Sequence, residues 1–135
     1  MPESYKSRSK APGKVVLWGE YAVLEGAPAV TMAVNQYASV DLVATRSTWE
    51  FVSTGFKTPG VHLFEKDFCS IPATQFAELS LKQLGFQDFN TPFSIHSDTS
   101  NFYLNNKKIG LGSSASLATA TYHALTTMLE VEASL

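Results

Sequence analysis

The sequence predicts an α+β fold, and three observations lead to that class. Runs with the character of β-strands crowd the first part of the chain, a helical pattern and one more strand candidate follow, and an amphipathic helix comes last. Strands grouped first and helices later are typical of α+β proteins, whereas regular alternation would indicate a parallel sheet. The length of 135 residues suits one domain.

Four apolar runs in the first part of the chain predict strands, namely residues 14–18, 29–34, 38–44 and 49–54. The third run alternates, with Ala38, Val40, Leu42 and Ala44 on one face. Because the runs follow each other closely, we expect them to pair as antiparallel neighbours. Residues 1–10 are polar and are interpreted as a tail or as the approach to the first strand. The glycine-bounded segment 19–26 predicts a turn or a short irregular element.

The second half of the chain predicts two helices and one strand. Residues 72–84 suit a helix with Pro72 in its first turn and Gly85 after its end. Residues 93–97 suit a strand, and 98–107 suit a polar connection. Residues 114–129 give the clearest helix, with an apolar stripe formed by Leu117, Thr121, Ala124, Leu125 and Met128.

Composition excludes several classes of partner. The formal net charge of −2 argues against nucleic acid or an anionic membrane as the partner. The polar N-terminus has no apolar core of a signal peptide, and no apolar run is long enough to span a bilayer, so we expect no membrane partner. Cys69 is the single cysteine, so no disulfide can form within the chain, and a cytoplasmic location is expected.

A glycine- and serine-rich loop, residues 108–116, directly precedes the last helix. Its glycines let the backbone approach a phosphate closely, and the N–H groups of the first helical turn point to the same place. Serine hydroxyls can bind phosphate oxygens or Mg²⁺, and Lys107 and Lys108 add positive charge nearby. The alternative is an ordinary turn in which Ser113 or Ser114 caps the helix. The spacing fits neither a Walker loop nor a dinucleotide fingerprint.

A second segment, residues 11–26, places Lys14 at the start of an apolar run and Glu20 beyond its end. A lysine at that position can neutralise a phosphate or pair with a carboxylate. The alternative is a solvated charge at a strand edge and a glutamate in a turn. Considered alone, this segment favours that alternative.

Together the two segments resemble the GHMP kinase superfamily. Pro12-Gly13-Lys14 with Leu17 and Gly19-Glu20-Tyr21 matches the family's N-terminal motif, and Gly110-Leu111-Gly112-Ser113-Ser114-Ala115 matches its serine loop. The resemblance covers residues 11 to about 129 of the chain. It implies a domain over residues 11–135 with the fold of ribosomal protein S5 domain 2, as the N-terminal domain of a GHMP kinase, incomplete at its C-terminal side, behind the tail 1–10.

The resemblance also implies roles for individual residues. Lys14 would be catalytic and would contact the acceptor, while Glu20 and Tyr21 would line the acceptor site. Ser114 would bind Mg²⁺ or the γ-phosphate. The ATP phosphates would be held by Lys108, Gly110, Leu111, Gly112, Ser113, Ser114 and Ala115. The implied cofactors are ATP and Mg²⁺, and the implied partner is a small anionic acceptor.

The detailed motif forms are most similar to phosphomevalonate kinases, with mevalonate kinases as the alternative and the related decarboxylases ranked lower. The family's aspartate, the acidic partner for Mg²⁺ and a third glycine motif lie beyond the serine loop and match no residue here. We therefore expect the 135-residue chain alone to be inactive, to expose apolar surface, and to require a C-terminal half or a homo-oligomer. A non-catalytic binding or scaffold module with this fold is the alternative from another class.

Overall fold

The computed structural model describes residues 5–44, 50–55, 60–63, 79–80, 82–85 and 93–128. Within these ranges one sheet of five strands carries a long helix, and two further strands form a separate hairpin. The strands are β1 (Tyr5–Trp18), β2 (Val30–Ala44), β3 (Glu50–Thr54), β4 (Gly60–Leu63), β5 (Phe93–Asp98), β6 (Tyr103–Leu104) and β7 (Lys107–Lys108). The helix, α1, spans Ser113–Met128. The α+β class is confirmed.

The strand order of the sheet is β1-β2-β5-β3-β4. The expected antiparallel pairing holds for β1 with β2, but the prediction that all consecutive runs are neighbours is wrong for β2 and β3. Strand β5 lies between them, antiparallel to β2 and parallel to β3. Successive side chains of a strand point to opposite faces of the sheet, and in β5 the three successive residues Phe93, Ser94 and Ile95 are all buried. Both faces of β5 are therefore covered, as expected for a central strand.

Strand β1 begins at Tyr5, so residues 5–10 belong to the sheet and not to a tail. Exposure alternates along this segment, with Ser7 and Ser9 buried and Arg8 and Lys10 exposed. The Arg8 guanidinium contacts the carboxylate of Asp41 on β2 through two hydrogen bonds of 2.7 and 3.1 Å. The polar side chains of this segment therefore belong to a strand, whose backbone N–H and C=O groups pair with those of β2.

Strand β2 combines two runs that the sequence separates, 29–34 and 38–44. The register along β1 passes from Pro12 opposite Tyr37 to Gly13 opposite Val34. Two extra residues of β2, Asn35 and Gln36, lie at this step, which is a β-bulge in the pairing with β1. On the far side of the bulge Ala38, Val40 and Leu42 are fully buried, which confirms the predicted face.

Two connections contain short regular elements. The predicted turn at 19–26 is confirmed and includes a 3-10 helix at Ala22–Glu25. The segment 98–107 is more ordered than the expected polar connection, because it contains a 3-10 helix at Ser100–Phe102 and most of the β6–β7 hairpin. Asn105 and Asn106 form the tip of that hairpin with positive φ angles of 49° and 62°, as a type I′ turn requires.

Helix α1 packs on β1 and β2 and closes the core. All residues of its predicted stripe are buried except Met128, which is partly buried against the core. Facing them from the sheet are Ala38, Val40 and Leu42 of β2 and Ile95 of β5. Phe51, Phe93 and Phe102 also lie in the core, as large apolar side chains often do.

The predicted helix at 72–84 lies mostly outside the described residues, as do Pro72 and Cys69. Its described part is helical at Leu79, Ser80, Lys82 and Gln83, and Gly85 follows with a positive φ of 67°. In the described part of the chain, no helix has the length and apolar character needed to cross a bilayer.

Candidate phosphate-binding site

The two motifs meet where β1 passes the start of α1. The main-chain N–H of Lys14 donates a hydrogen bond of 2.8 Å to the carbonyl oxygen of Leu111 in the serine loop. The β-bulge in the pairing of β1 with β2 lies between Pro12 and Gly13, just before Lys14. Because β1 is an edge strand of the sheet, the Lys14 N–H would be unpaired without this bond. The serine loop thus covers the edge of β1 at Lys14.

Gly13 makes this close approach possible. A Cβ atom at this position would lie 2.5 Å from the Leu111 carbonyl oxygen and 2.7 Å from Cε1 of Phe102. Phe102 is fully buried, and its carbonyl accepts the N–H of Ile109, so the ring cannot easily move aside. The glycine of the N-terminal motif is therefore required by the serine loop that packs against it.

The loop ends in the first turn of α1, which begins at Ser113. Gly112 occupies the preceding position with a positive φ of 75°, and its carbonyl accepts the N–H of Ser116. Both Ser113 and Ser114 therefore lie inside the first turn and not at the cap position that the alternative interpretation gives them. The first N–H groups of a helix have no acceptor within it, so they can bind an anion here.

Two lysines flank this helix terminus. The aliphatic stem of Lys14 runs along Gly112, where an added Cβ would lie 3.1 Å from Lys14 Cγ. Lys108 on β7 donates from Nζ to the Ser114 hydroxyl oxygen at 3.4 Å. Lys14, Lys108 and Ser114 are all exposed to solvent. Positive charge, an exposed hydroxyl and the N–H groups of the first helical turn thus converge on one open surface, which is the donor set that a polyphosphate needs.

Of the remaining loop residues, some are exposed to solvent and others attach the loop to the core. Gly110 has a φ of 74°, and a Cβ there would meet no atom within 4 Å, so its side faces open space. Ala115 is exposed in the first turn, whereas Ser113 is buried and Leu111 packs against the core. Leu111 therefore anchors the loop, while Gly110 and Ala115 leave its outer surface free of bulk.

The structure does not bring Glu20 and Tyr21 to the same place. Both follow Trp18, the last residue of β1, and the strand between Lys14 and Trp18 spans about 13 Å at the usual rise per residue. Tyr21 is 78% exposed and has a positive φ of 64°, which is uncommon for a residue other than glycine. An open depression of about 430 Å³ adjoins them, lined by Val16, Leu17, Trp18, Gly19, Glu20 and Ala22. None of these lining residues carries a positive charge.

Apolar side chains at this far end of the β1–β2 pair are exposed, as expected for the domain. Leu17, Trp18, Leu24, Val30 and Met32 each have about half or more of their surface in contact with solvent. The 3-10 helix at Ala22–Glu25 has no buried residue. This part of the sheet therefore presents an uncovered apolar patch.

The donor set fits a phosphate better than it fits a metal ion alone. Ser114 supplies one hydroxyl oxygen, and Mg²⁺ is usually bound through at least one carboxylate. Across the described ranges, no group of three or more His, Cys, Asp and Glu side chains is arranged to hold a metal ion. Among the residues that the structure describes, the Ser114 hydroxyl lies against the ammonium group of Lys108, a cation, and not against a carboxylate that would share a metal ion with it.

Ser116 is a site residue that the sequence interpretation did not single out. Its hydroxyl donates to the Pro12 carbonyl oxygen at 2.7 Å, and it is only 3% exposed. The sequence feature that could have indicated Ser116 is its position next to Leu117, which belongs to the buried stripe of α1. A small polar residue on a buried helix face indicates a hydrogen-bond partner on the neighbouring element.

Several solved structures with this fold are kinases. Phosphomevalonate kinase of Streptococcus pneumoniae, solved with phosphomevalonate and AMPPNP, is 21% identical with a TM-score of 0.73, over 94% of this chain and 38% of that one. Mevalonate kinase of Methanococcus jannaschii is 21% identical with a TM-score of 0.71, over 97% and 42%. Galactokinase of Lactococcus lactis, solved with galactose, is 18% identical with a TM-score of 0.74, over 95% and 34%.

The chain thus spans between about one-third and two-fifths of the length of these structures. No protein-family model matches the chain, and no curated protein matches it either. The likeness extends over nearly all of this chain. The resemblance noted in the sequence is therefore confirmed at the level of the fold: the chain has the α+β fold of the N-terminal region of the GHMP kinases.

Proposed function

We propose that this chain is the phosphate-binding part of an ATP-dependent small-molecule kinase that acts in the mevalonate pathway. The observation that carries the proposal is the contact of Lys14 with the serine loop, through its N–H to Leu111 and its stem along Gly112. This contact gathers a lysine and the N-terminus of a 16-residue helix on one exposed surface. Phosphoryl transfer depends mainly on positioning and charge neutralisation, which are what this arrangement supplies.

In this proposal the N–H groups of the first turn of α1 and the Lys108 ammonium hold the ATP phosphates. Lys14 approaches from the other side of the loop, beside the phosphoryl group that is transferred. The Ser114 hydroxyl contacts the γ-phosphate or binds Mg²⁺, with the acidic partner for the metal contributed from beyond the described residues. When bound, Mg²⁺ would neutralise charge on the phosphates.

The preferred acceptor is phosphomevalonate, with mevalonate as the alternative. The motif forms and the likeness to the pneumococcal phosphomevalonate kinase support the first choice. Glu20 and Tyr21 would line the acceptor site beside the depression at the end of β1. Since the residues lining that depression have no positive charge, a phosphate already present on the acceptor would be held by other groups, of which Lys14 and Lys108 are the candidates.

Titration calorimetry with sodium tripolyphosphate and with ATP tests the phosphate site in the 135-residue chain. We expect both ligands to bind, and Lys14→Ala to weaken tripolyphosphate binding about tenfold, the scale of one charge-assisted contact. Lys10→Ala is the matched control, because Lys10 lies four residues earlier on β1 and faces the Tyr37 ring at 4.9 Å. Equal losses of tripolyphosphate affinity in the two variants would mean that the anion is attracted to any surface lysine. That result would contradict a specific site at Lys14.

Catalysis requires a separate measurement. We expect no ATP-dependent phosphorylation of mevalonate or phosphomevalonate by the pure 135-residue chain, because no described residue matches the family's catalytic aspartate. Measurable product from that chain would refute this expectation. In an enzyme completed by a C-terminal half, a panel of acceptors decides between the two substrates, and Lys14→Ala and Ser114→Ala are expected to lower the rate.

A further inference from the structure

We infer that Ser116 is a positioning residue that holds Lys14 against the serine loop, an inference that rests on the proposed phosphate-binding function. Ser116 lies in α1 and Pro12 in β1, 104 positions apart in the sequence. The 2.7 Å bond from the Ser116 hydroxyl to the Pro12 carbonyl oxygen is a direct side-chain link between the two motifs. Ser116 faces the interior, so it acts on a phosphate ligand only through other residues.

The geometry links Ser116 to Lys14 through two residues of backbone. The Pro12 carbonyl is fixed by Ser116, Gly13 follows in close contact with the loop, and the Lys14 N–H then donates to Leu111. The β-bulge falls at this step, where the regular pairing of β1 with β2 is interrupted. Because a bulge weakens the local ladder, the hydroxyl of Ser116 replaces a constraint that the sheet does not supply here.

The Ser116 hydroxyl has a second acceptor that belongs to the loop. The carbonyl oxygen of Gly112 lies 3.1 Å from it, and the same carbonyl accepts the Ser116 main-chain N–H. One hydroxyl proton favours the shorter bond to Pro12, while the second oxygen remains within reach. Ser116 thus contacts one carbonyl on the strand, that of Pro12, and one on the loop, that of Gly112. These are the two elements that the Lys14 N–H also joins.

Hydrogen exchange of the Lys14 amide tests this without any ligand. Ser116→Ala removes the hydroxyl with little change in volume, and Thr121→Val is the matched control. Thr121 is a fully buried residue of the same helix, and its hydroxyl donates at 2.7 Å to the Leu117 carbonyl and not to β1. We expect the Lys14 amide to exchange about tenfold faster in Ser116→Ala than in Thr121→Val. Equal exchange in the two variants overturns the inference.

A double-mutant cycle with tripolyphosphate then tests the effect on the ligand. Ser116→Ala is expected to weaken binding about fivefold, the scale of one lost hydrogen bond, and to have almost no further effect when Lys14 is already alanine. Losses that simply add would mean that Ser116 acts independently of Lys14, which overturns the inference. Absence of binding by the wild-type chain would contradict the proposed function instead, while amide exchange would still decide the role of Ser116.

Discussion

Lys14 donates its main-chain N–H to the carbonyl of Leu111 over 2.8 Å, and this bond joins the two motifs of the chain. Around it the side chain of Lys14 lies along Gly112, and the ring of Phe102 closes the space beneath Gly13. The site is therefore a contact between the edge of a sheet and the start of a helix. We expect the stability of this contact, and the phosphate affinity proposed for it, to depend on how closely these two elements approach.

Gly13→Ala should destabilise the fold and the site together. The new Cβ would meet the Leu111 carbonyl and the Phe102 ring at 2.5 and 2.7 Å, so β1 and the loop must separate. Overpacking of this kind costs about 1–3 kcal/mol of unfolding free energy, measurable by urea denaturation.

Gly26→Ala is the control for that experiment. A Cβ there would meet nothing within 4 Å, although its φ of 86° is unfavourable for alanine. The control should cost about 1 kcal/mol and leave tripolyphosphate affinity unchanged. Unchanged tripolyphosphate affinity in Gly13→Ala would contradict the close approach described at this residue.

Gly112→Ala and Gly110→Ala form a matched pair within the loop. Both positions have nearly equal positive φ angles, 75° and 74°, so both variants carry a similar backbone penalty of about 1 kcal/mol. Only the alanine at 112 would press on the stem of Lys14, at 3.1 Å from Cγ. We therefore expect the weaker ATP binding in Gly112→Ala. A larger loss in Gly110→Ala would mean that the outer side of the loop, and not Lys14, sets affinity.

Comparison of Lys108→Gln with Lys107→Gln distinguishes the contact of Lys108 with Ser114 from the general effect of one positive charge near the loop. The two lysines are adjacent in β7, and successive side chains of a strand point to opposite faces. Lys108 contacts the Ser114 hydroxyl, so its loss should weaken tripolyphosphate binding by about fivefold at low salt and by less at high salt. Lys107→Gln should have a smaller effect. Identical calorimetric titrations of the two variants would argue against a role for the Lys108 contact.

Leu117→Ala should lower the unfolding free energy by about 2–5 kcal/mol, because its side chain is 1% exposed between α1 and the sheet. Leu24→Ala removes the same atoms from a side chain that is 80% exposed. Chemical denaturation should show a change of about 0.5 kcal/mol or less for that variant. A large loss in Leu24→Ala would show that the exposed apolar patch is covered in solution.

Local patterns were sufficient for much of the fold. The stripe in α1, the alternating face of 38–44 and the turn around Gly26 all follow from periodicity and turn chemistry that neighbouring residues determine. The β6–β7 hairpin escaped prediction because its strands have two residues each, too short for any period to show. The continuity of β2 was missed because the polar residues Asn35 and Gln36, which form the bulge, separate its two apolar runs.

The sequence by itself determined the helix after the serine loop, the strand that contains Lys14, and the pair of motifs that indicates a phosphate site. Only the tertiary structure decided that β5 separates β2 from β3, that Lys14 contacts Leu111, and that Ser116 binds Pro12. The physical reason is the range of the interactions. Helix periodicity and turn preferences are set by near neighbours, whereas strand order and the contacts of the site join residues that are distant in sequence and meet only when the core packs.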